Sequence, residues 1–250
     1  MKVYYDLLNR EKNNVDWSNA AHFEFEDYIG TTAKTKQPTW FQELTQFVNN
    51  CKNKNEFLKE HFSWVLSAGP EANFKTAKSC PAFINLFKQS LALKTAADIY
   101  IKITRDASGD FSYFWNTRDD FWMIDSHSPL QSGSISERCV ILKFNSAIFW
   151  APSQDTQYQY LDAYMHNEIP YRVFPGSVVQ KKNTVSSVNM PVMFPAKEAE
   201  YIIEAGTTLG YLYFDKPIKK VERKDMKEEY NRNQHKAYVK QDLKDLMSKK

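Results

Sequence analysis

The stretch from Tyr171 to Asp215 constrains the fold most, because it is rich in the residues that strands favour. Its runs of Val, Ile, Tyr, Phe and Thr are separated by Pro175–Gly176, Asn189–Pro191 and Ala205–Gly206, which mark turns. Between Leu209 and Phe214 an alternating strand would be apolar on both faces. This pattern predicts a β-core late in the chain, with its last strand covered on both sides.

Further short strands are predicted before this stretch. Asp98–Thr104 alternates between apolar and polar residues, Ala107–Asp110 has the composition of a turn, and Phe111–Trp115 would be the antiparallel partner. The remaining predicted strands are Phe121–Ile124, Val140–Phe144 and Ile148–Trp150. Successive strands without helices between them favour antiparallel sheets. We therefore expect an α+β fold that is mainly β, with an antiparallel β-sandwich or jelly-roll-like core.

Helices are predicted on either side of that core. The apolar spacing becomes helical after Pro38, where the stripe consists of Trp40, Phe41, Leu44, Phe47 and Val48. A second helix is expected over Phe57–Val65, and a third begins at Pro81 after the capping Ser79. Near the end of the chain, a narrow apolar stripe on a charged helix consists of Val239, Leu243, Leu246 and Met247.

These patterns divide the chain into four parts. Residues 1–37 would hold N-terminal strands, at Lys2–Leu8 and His22–Glu26, and a connection. The other parts are a helical layer packed on the core (residues 38–97), the antiparallel β core (residues 98–215) and a basic, amphipathic C-terminal helix (residues 216–250).

Charge and cysteine content exclude several classes of function. Residues 216–250 hold 12 of the 33 Lys and Arg residues but only 6 of the 30 Asp and Glu residues, so the rest of the chain is net negative. This disfavours a nucleic-acid groove in the body. The chain has no signal-peptide pattern and no apolar run of about 18 residues, so no membrane partner is expected. Cys51, Cys80 and Cys139 are odd in number and far apart, which favours a reducing compartment.

Two histidines and a carboxylate suggest a metal site. Asp125 and His127 are two residues apart on a predicted strand, so both side chains would lie on one face, and His166 follows later. Two His and one carboxylate can bind non-haem iron in a cupin-like barrel, or another divalent transition metal. The structural alternative is that Asp125 caps a turn and His127 makes a local hydrogen bond. On that reading the protein has no cofactor.

The same region contains a candidate ligand pocket without a metal. Its residues are His127, Gln131, His166, Asn167 and Arg172. Arg172 offers a planar, bidentate donor for a carboxylate or phosphate. The structural alternative for Arg172, which follows Pro170 closely, is a surface ion pair.

Motifs for covalent or phosphate chemistry are absent from the sequence. It contains neither GxSxG nor a glycine-rich phosphate loop, and no cysteine has a context that indicates activation. No catalytic residue is therefore predicted.

Several segments resemble an uncharacterised family of proteins encoded by tailed phages, especially marine ones. They extend over residues 38–215 and include Pro38–Trp40, Cys80–Lys88, Ser126–His127 with Gln131, Leu142–Phe144, Tyr164–Asn167, Val173–Gly176 and Ile203–Thr207 with Tyr211–Leu212. The resemblance implies a viral origin and a largely β fold, but no established activity. It also implies a location in the host cytoplasm, with the virion as a second location.

A weaker similarity links the closing strands to dUTPase-like barrels. It consists of Pro175–Gly176 followed by Ile203, Gly206 and Leu209 at their spacing in this chain. In those enzymes an aspartate after the Pro-Gly pair works with the nucleotide, whereas residues 178–183 here contain no acid. The similarity therefore implies a fold shape and not nucleotide hydrolysis.

The aromatic content completes the functional hypothesis. Aromatic residues make up 15% of the chain, and such side chains are common at protein interfaces. We expect a non-catalytic phage protein, virion-associated or host-interacting, that binds a protein partner or itself through an aromatic-rich surface. The alternatives are the cupin-like metal-dependent enzyme and a small-molecule binding module without turnover.

Overall fold

The structure is a computed structural model of the whole chain, and its described part has several internal gaps. The described residues are 1–7, 9–11, 14–16, 25–43, 47–49, 73–75, 77–118, 122–126, 135, 137–163, 166 and 170–233.

Strands dominate the described part, and the helices are short. The helices are α1 (Phe25–Tyr28), α2 (Ala33–Lys36), α3 (Thr39–Glu43) and α4 (Pro81–Gln89), with a 3₁₀ turn at Ala77–Ser79 and a further helical segment at residues 227–233. The strands are β1 (Lys2–Leu7), β2 (Asn9–Glu11), β3 (Asn14–Asp16), β4 (Ile29–Gly30), β5 (Phe47–Asn49), β6 (Asn73–Lys75), β7 (Ser90–Lys94), β8 (Ile99–Arg105), β9 (Phe111–Thr117), β10 (Trp122–Ser126), β11 (Cys139–Pro152), β12 (Thr156–Asp162), β13 (Arg172–Val173), β14 (Gly176–Gln180), β15 (Ser186–Pro195), β16 (Ala199–Ile203), β17 (Thr208–Phe214) and β18 (Lys220–Arg223).

One layer of the fold is a six-stranded sheet in the order β13-β15-β11-β1-β18, with β10 also paired to β11. All its pairs are antiparallel except β1 with β18, which is parallel. β11 has 14 residues, long enough to pair with β10 along its first half and with β1 along its second half.

The facing layer consists of a five-stranded sheet, β14-β12-β17-β7-β4, and a three-stranded sheet, β16-β8-β9. The chain passes between these two sheets twice, because β7 leads into β8 and β16 leads into β17. At the bend between them, the Thr95 amide donates to the Thr207 carbonyl at 3.1 Å, and the Ala205 amide donates to Asp98 Oδ1 at 2.8 Å. Gly206 supplies the positive φ of 85° that this turn requires.

The main core lies between these layers. Trp150 of the six-stranded sheet packs against Phe214 of the five-stranded sheet, with ring centroids 5.3 Å apart. Phe194 of the six-stranded sheet meets Tyr201 of the three-stranded sheet at 5.0 Å. Apolar residues of all three sheets form one buried cluster. The predicted fold class, mainly β and sandwich-like, is therefore confirmed.

A helical layer covers the outer face of the five-stranded sheet. Phe41 of α3 and Phe87 of α4 pack with Ala92, Ala163 and Tyr211 in a second apolar cluster. α4 was expected from the sequence, and it begins at Pro81 as predicted. Its N-cap, however, is Cys80, with no side-chain capping bond, so the prediction of Ser79 as the cap is wrong.

Other local predictions need correction. Phe47–Asn49 forms β5 and pairs with β6, so the helix expected through Phe47 and Val48 ends earlier. Phe25–Tyr28 is helical, although His22–Glu26 was expected to be a strand. The second predicted helix, over Phe57–Val65, lies outside the described residues.

The sheets also extend beyond residues 98–215. β1 and β7 precede that range, and β18 lies in the segment that was expected to be a basic helix. A third apolar cluster forms where residues 227–233 cover the outer face of the six-stranded sheet. There the ring centroids of Tyr230 and Phe149 are 5.0 Å apart. The predicted stripe from Val239 to Met247 lies outside the described residues.

Candidate functional site

Asp125 lies on the outer face of the six-stranded sheet. Its neighbours in β10, Trp122 and Ile124, point into the main core, and Asp125 is exposed. Its Oδ2 accepts a hydrogen bond of 2.8 Å from Asn145 Nδ2, and Lys143 is its register partner in β11. The carboxylate therefore faces away from the interior of the sandwich.

His166 lies on the other side of the molecule, beside the helical layer. Its amide donates to the Ala163 carbonyl at 2.8 Å, and its Nε2 is hydrogen-bonded to the Tyr211 hydroxyl. That hydroxyl donates its single proton to the Lys36 carbonyl at 2.7 Å. Nε2 of His166 must therefore carry the proton of the imidazole–hydroxyl bond. Burial lowers the pKa of His166 to about 4, so the ring is neutral at physiological pH.

The structure does not bring Asp125 and His166 together. Asp125 is outside the six-stranded sheet, whereas the Tyr211 partner of His166 belongs to the apolar cluster outside the five-stranded sheet. The main core separates the two positions. Within the described ranges, no group of three or more His, Cys, Asp or Glu residues is placed to hold a metal ion. His127, the third predicted ligand, lies outside those ranges.

Two members of the predicted ligand pocket, Arg172 and His166, belong to the described residues. Arg172 is exposed on β13, an edge strand of the six-stranded sheet, opposite Met193. In the part of the chain that the structure describes, neither a hydrogen bond nor an ion pair joins Arg172 to His166. Gln131 and Asn167 lie outside the described residues, as does His127.

Lys36 is a buried cation that the sequence did not single out. It is only 6% exposed, and its Nζ donates to the carbonyls of Phe87 at 2.6 Å and Ser90 at 2.8 Å. These carbonyls belong to the C-terminal end of α4, where a positive charge is favourable. Burial lowers the pKa of Lys36 to about 8.

Gly30 allows Lys36 to reach this position. A Cβ at Gly30 would lie 2.4 Å from the Thr35 carbonyl oxygen and 3.1 Å from the Ala92 Cβ. The backbone of α2 therefore lies against β4 more closely than any side chain would permit. This contact places Lys36 above the end of α4.

The three-stranded sheet presents apolar residues to solvent. Its inner residues, including Ile101 and Ile103, are fully buried. On its outer face Phe114 is 58% exposed and Ile202 is 66% exposed. Tyr100 lies between them: it is the register partner of Ile202, and its ring centroid is 6.2 Å from that of Phe114.

Polar groups beside these residues are already paired. Lys102 Nζ lies 2.7 Å from Glu200 Oε1, and the hydroxyls of Thr104 and Ser112 share a hydrogen bond of 3.0 Å. The hydrogen bond from Lys102 lowers the pKa of Glu200 and raises that of Lys102, so both stay charged near neutrality. We call the group Tyr100, Lys102, Phe114, Glu200 and Ile202 the exposed sheet face.

Two comparisons with known proteins were negative. No protein-family model matches the chain, and no curated protein matches its sequence significantly. The resemblances to tailed-phage proteins and to dUTPase-like barrels therefore stay predictions. Separately, no described helix is both long enough and apolar enough to cross a membrane.

Proposed function

We propose that this protein binds another protein through the exposed sheet face and does not catalyse a reaction. The observation that carries the proposal is the position of Phe114 and Ile202 beside Tyr100. These side chains occupy neighbouring positions on three strands, and two of them are more than half exposed.

The arrangement fits the anatomy of a protein interface. A single exposed apolar residue is ordinary on a protein surface, but a contiguous group marks an interaction site. Interface centres are enriched in aromatic residues, and polar residues surround them. Here Tyr100 and Phe114 supply the aromatic centre, and Lys102, Glu200 and the hydroxyl pair supply the polar surroundings.

The charges on the face indicate what the partner offers. Because Lys102 and Glu200 neutralise each other, the face has no unpaired charge that would attract an acidic or basic partner. The partner would instead present aliphatic or aromatic side chains. The affinity between the two proteins would depend only weakly on salt concentration, because salt mainly screens attraction between charges.

The sequence resemblance supports a biological setting for that partner. If the chain is a tailed-phage protein, the partner belongs to the phage particle or to the host cell. A second copy of this chain is the other form that a partner with a matching apolar face can take.

The test compares the exposed sheet face with an equally exposed apolar position on another strand. Ile202→Thr and Phe114→Ser remove apolar area from the face, whereas Val179→Thr removes it from β14, where Val179 is also 66% exposed. Proteins that bind to the immobilised wild-type protein would be identified and purified. Each would then be titrated with every variant at low and high salt. We expect the two face variants to weaken binding about tenfold or more, and Val179→Thr to leave it unchanged.

Other outcomes would contradict the proposal or identify the partner. Equal loss with Val179→Thr would show that general surface hydrophobicity is responsible. Binding that disappears at high salt would show that charge attraction is responsible. Self-association of the purified wild type that is lost only in the face variants would identify a second copy as the partner.

A further inference from the structure

A pocket of about 360 Å³ lies in the helical layer, away from the exposed sheet face. Its walls come from the segment after β4, α2, α3, the 3₁₀ turn, α4 and the connection between β17 and β18. Pockets for small molecules have volumes of roughly 300–1,000 Å³, so this one is large enough for a small ligand.

Three lysines line the pocket, and its described lining contains no aspartate or glutamate. Lys36 comes from α2, Lys78 from the 3₁₀ turn and Lys88 from α4. The three residues come from separate parts of the fold, and Lys78 Nζ also donates to the Gln42 carbonyl at 2.8 Å. A cavity lined by cationic side chains is complementary to an anion.

Lys36 can serve an anion while keeping its structural bonds. A lysine ammonium has three N–H donors, and Lys36 gives two of them to the carbonyls of Phe87 and Ser90. Those carbonyls carry no net charge, and no carboxylate among the described residues forms an ion pair with Lys36. Because the side chain is almost fully buried, attraction between it and an anion would be screened less than at the surface.

The rest of the wall is apolar. Phe41 and Phe87 belong to the second apolar cluster, and Ile84 and Ile218 complete the apolar lining. A cavity lined both by cationic groups and by aromatic and aliphatic side chains is complementary to a molecule with a charged group and an apolar body.

We propose that this pocket binds a small organic anion, with its carboxylate or phosphate group at the lysines and an apolar body against Phe41, Ile84 and Ile218. The pocket shares no residue with the exposed sheet face, and its lining includes neither Asp125 nor Arg172.

The first experiment varies the head group on a constant six-carbon chain. Hexanoate, hexyl phosphate, hexanol and hexylamine would each be titrated into the full chain carrying labelled isoleucine methyl groups. We expect saturable shifts at Ile84 and Ile218 with one or both anions, at least about tenfold tighter than with hexanol, and none with hexylamine. The tighter of the two anions identifies the head group. Equal binding of hexanol, or no saturation by either anion at millimolar concentration, would overturn the proposal.

The second experiment varies the lysines. Lys88→Gln changes an exposed residue and should preserve the fold, and we expect it to weaken anion binding about threefold to tenfold. Lys182→Gln, on the exposed turn between β14 and β15, is the matched control and should have no effect. Lys36→Met should weaken binding more strongly; if that variant does not fold, the Lys88→Gln result alone decides. Equal affinity of the wild type and Lys88→Gln would overturn the proposal.

Discussion

The helical side of the sandwich and the exposed sheet face place the same kinds of side chain in opposite environments. On the helical side a lysine, a tyrosine and a histidine are wholly or partly buried, and backbone carbonyls accept the bonds that Lys36 and Tyr211 donate. On the exposed sheet face a lysine pairs with a glutamate in solvent, and the aromatic residues are the unprotected groups. The difference shows that solvent and a neighbouring side chain are enough to stabilise an exposed charge. A buried cation depends instead on hydrogen bonds to backbone carbonyls close to it.

The largest expected effect concerns the backbone that supports Lys36. Gly30→Ala should lower the free energy of unfolding by about 3 kcal/mol or more, because its Cβ would overlap the Thr35 carbonyl. Gly176→Ala is the control, since no atom lies within 4 Å of its added Cβ. Urea unfolding measures both. Similar stability of the two variants would mean that α2 can move away from β4 without cost.

The second test compares the two lysines directly. Lys36→Met would leave the carbonyls of Phe87 and Ser90 without their donor, and we expect a loss of about 2 kcal/mol in the free energy of unfolding. Lys102→Met should cause no detectable change in thermal unfolding, because its ion pair with Glu200 lies at the surface in contact with solvent. If both variants unfolded like the wild type, burial would not distinguish these cations.

The smallest effect is a dependence on pH that belongs to the helical side alone. His166 binds a proton near pH 6.5 when unfolded but only near pH 4 when folded, because burial lowers its pKa. Its contribution to stability is therefore complete above pH 6.5 and is lost as the pH falls towards 4. After allowance for partial exposure, we expect this loss to be about 1 kcal/mol. Unfolding of His166→Gln at several pH values should show a correspondingly weaker acid destabilisation; an identical pH profile would contradict the assignment.

Much of the sheet architecture could be predicted because its signal is local. The alternation in Asp98–Thr104 indicates which side of that strand is buried, and the structure places β8 there and β9 at its predicted partner, Phe111–Trp115. The same reasoning fails at Phe47–Asn49, where apolar residues fit a helical stripe although the segment pairs with β6. Short apolar segments carry too little pattern to separate the two conformations.

The interactions of the helical side could not be predicted, because they join residues distant in sequence. Lys36 lies in a polar run and would be assigned to the surface, yet its acceptors are more than fifty residues away. Tyr211 lies 45 residues after His166, and spacing does not indicate that they meet. By contrast, the exposed residues Phe114 and Ile202 were visible as apolar members of their strands. Only the structure shows that the outer side of their sheet is open.

The bend that joins the five-stranded and three-stranded sheets has a practical consequence for dissecting the molecule. β7 continues into β8 and β16 continues into β17, so the chain crosses between these sheets twice. A fragment that carried only Tyr100, Phe114 and Ile202 would need a cut at each crossing and would expose the isoleucines beneath them. Truncation is therefore unsuited to isolating either half, and point substitutions are the appropriate way to separate their roles.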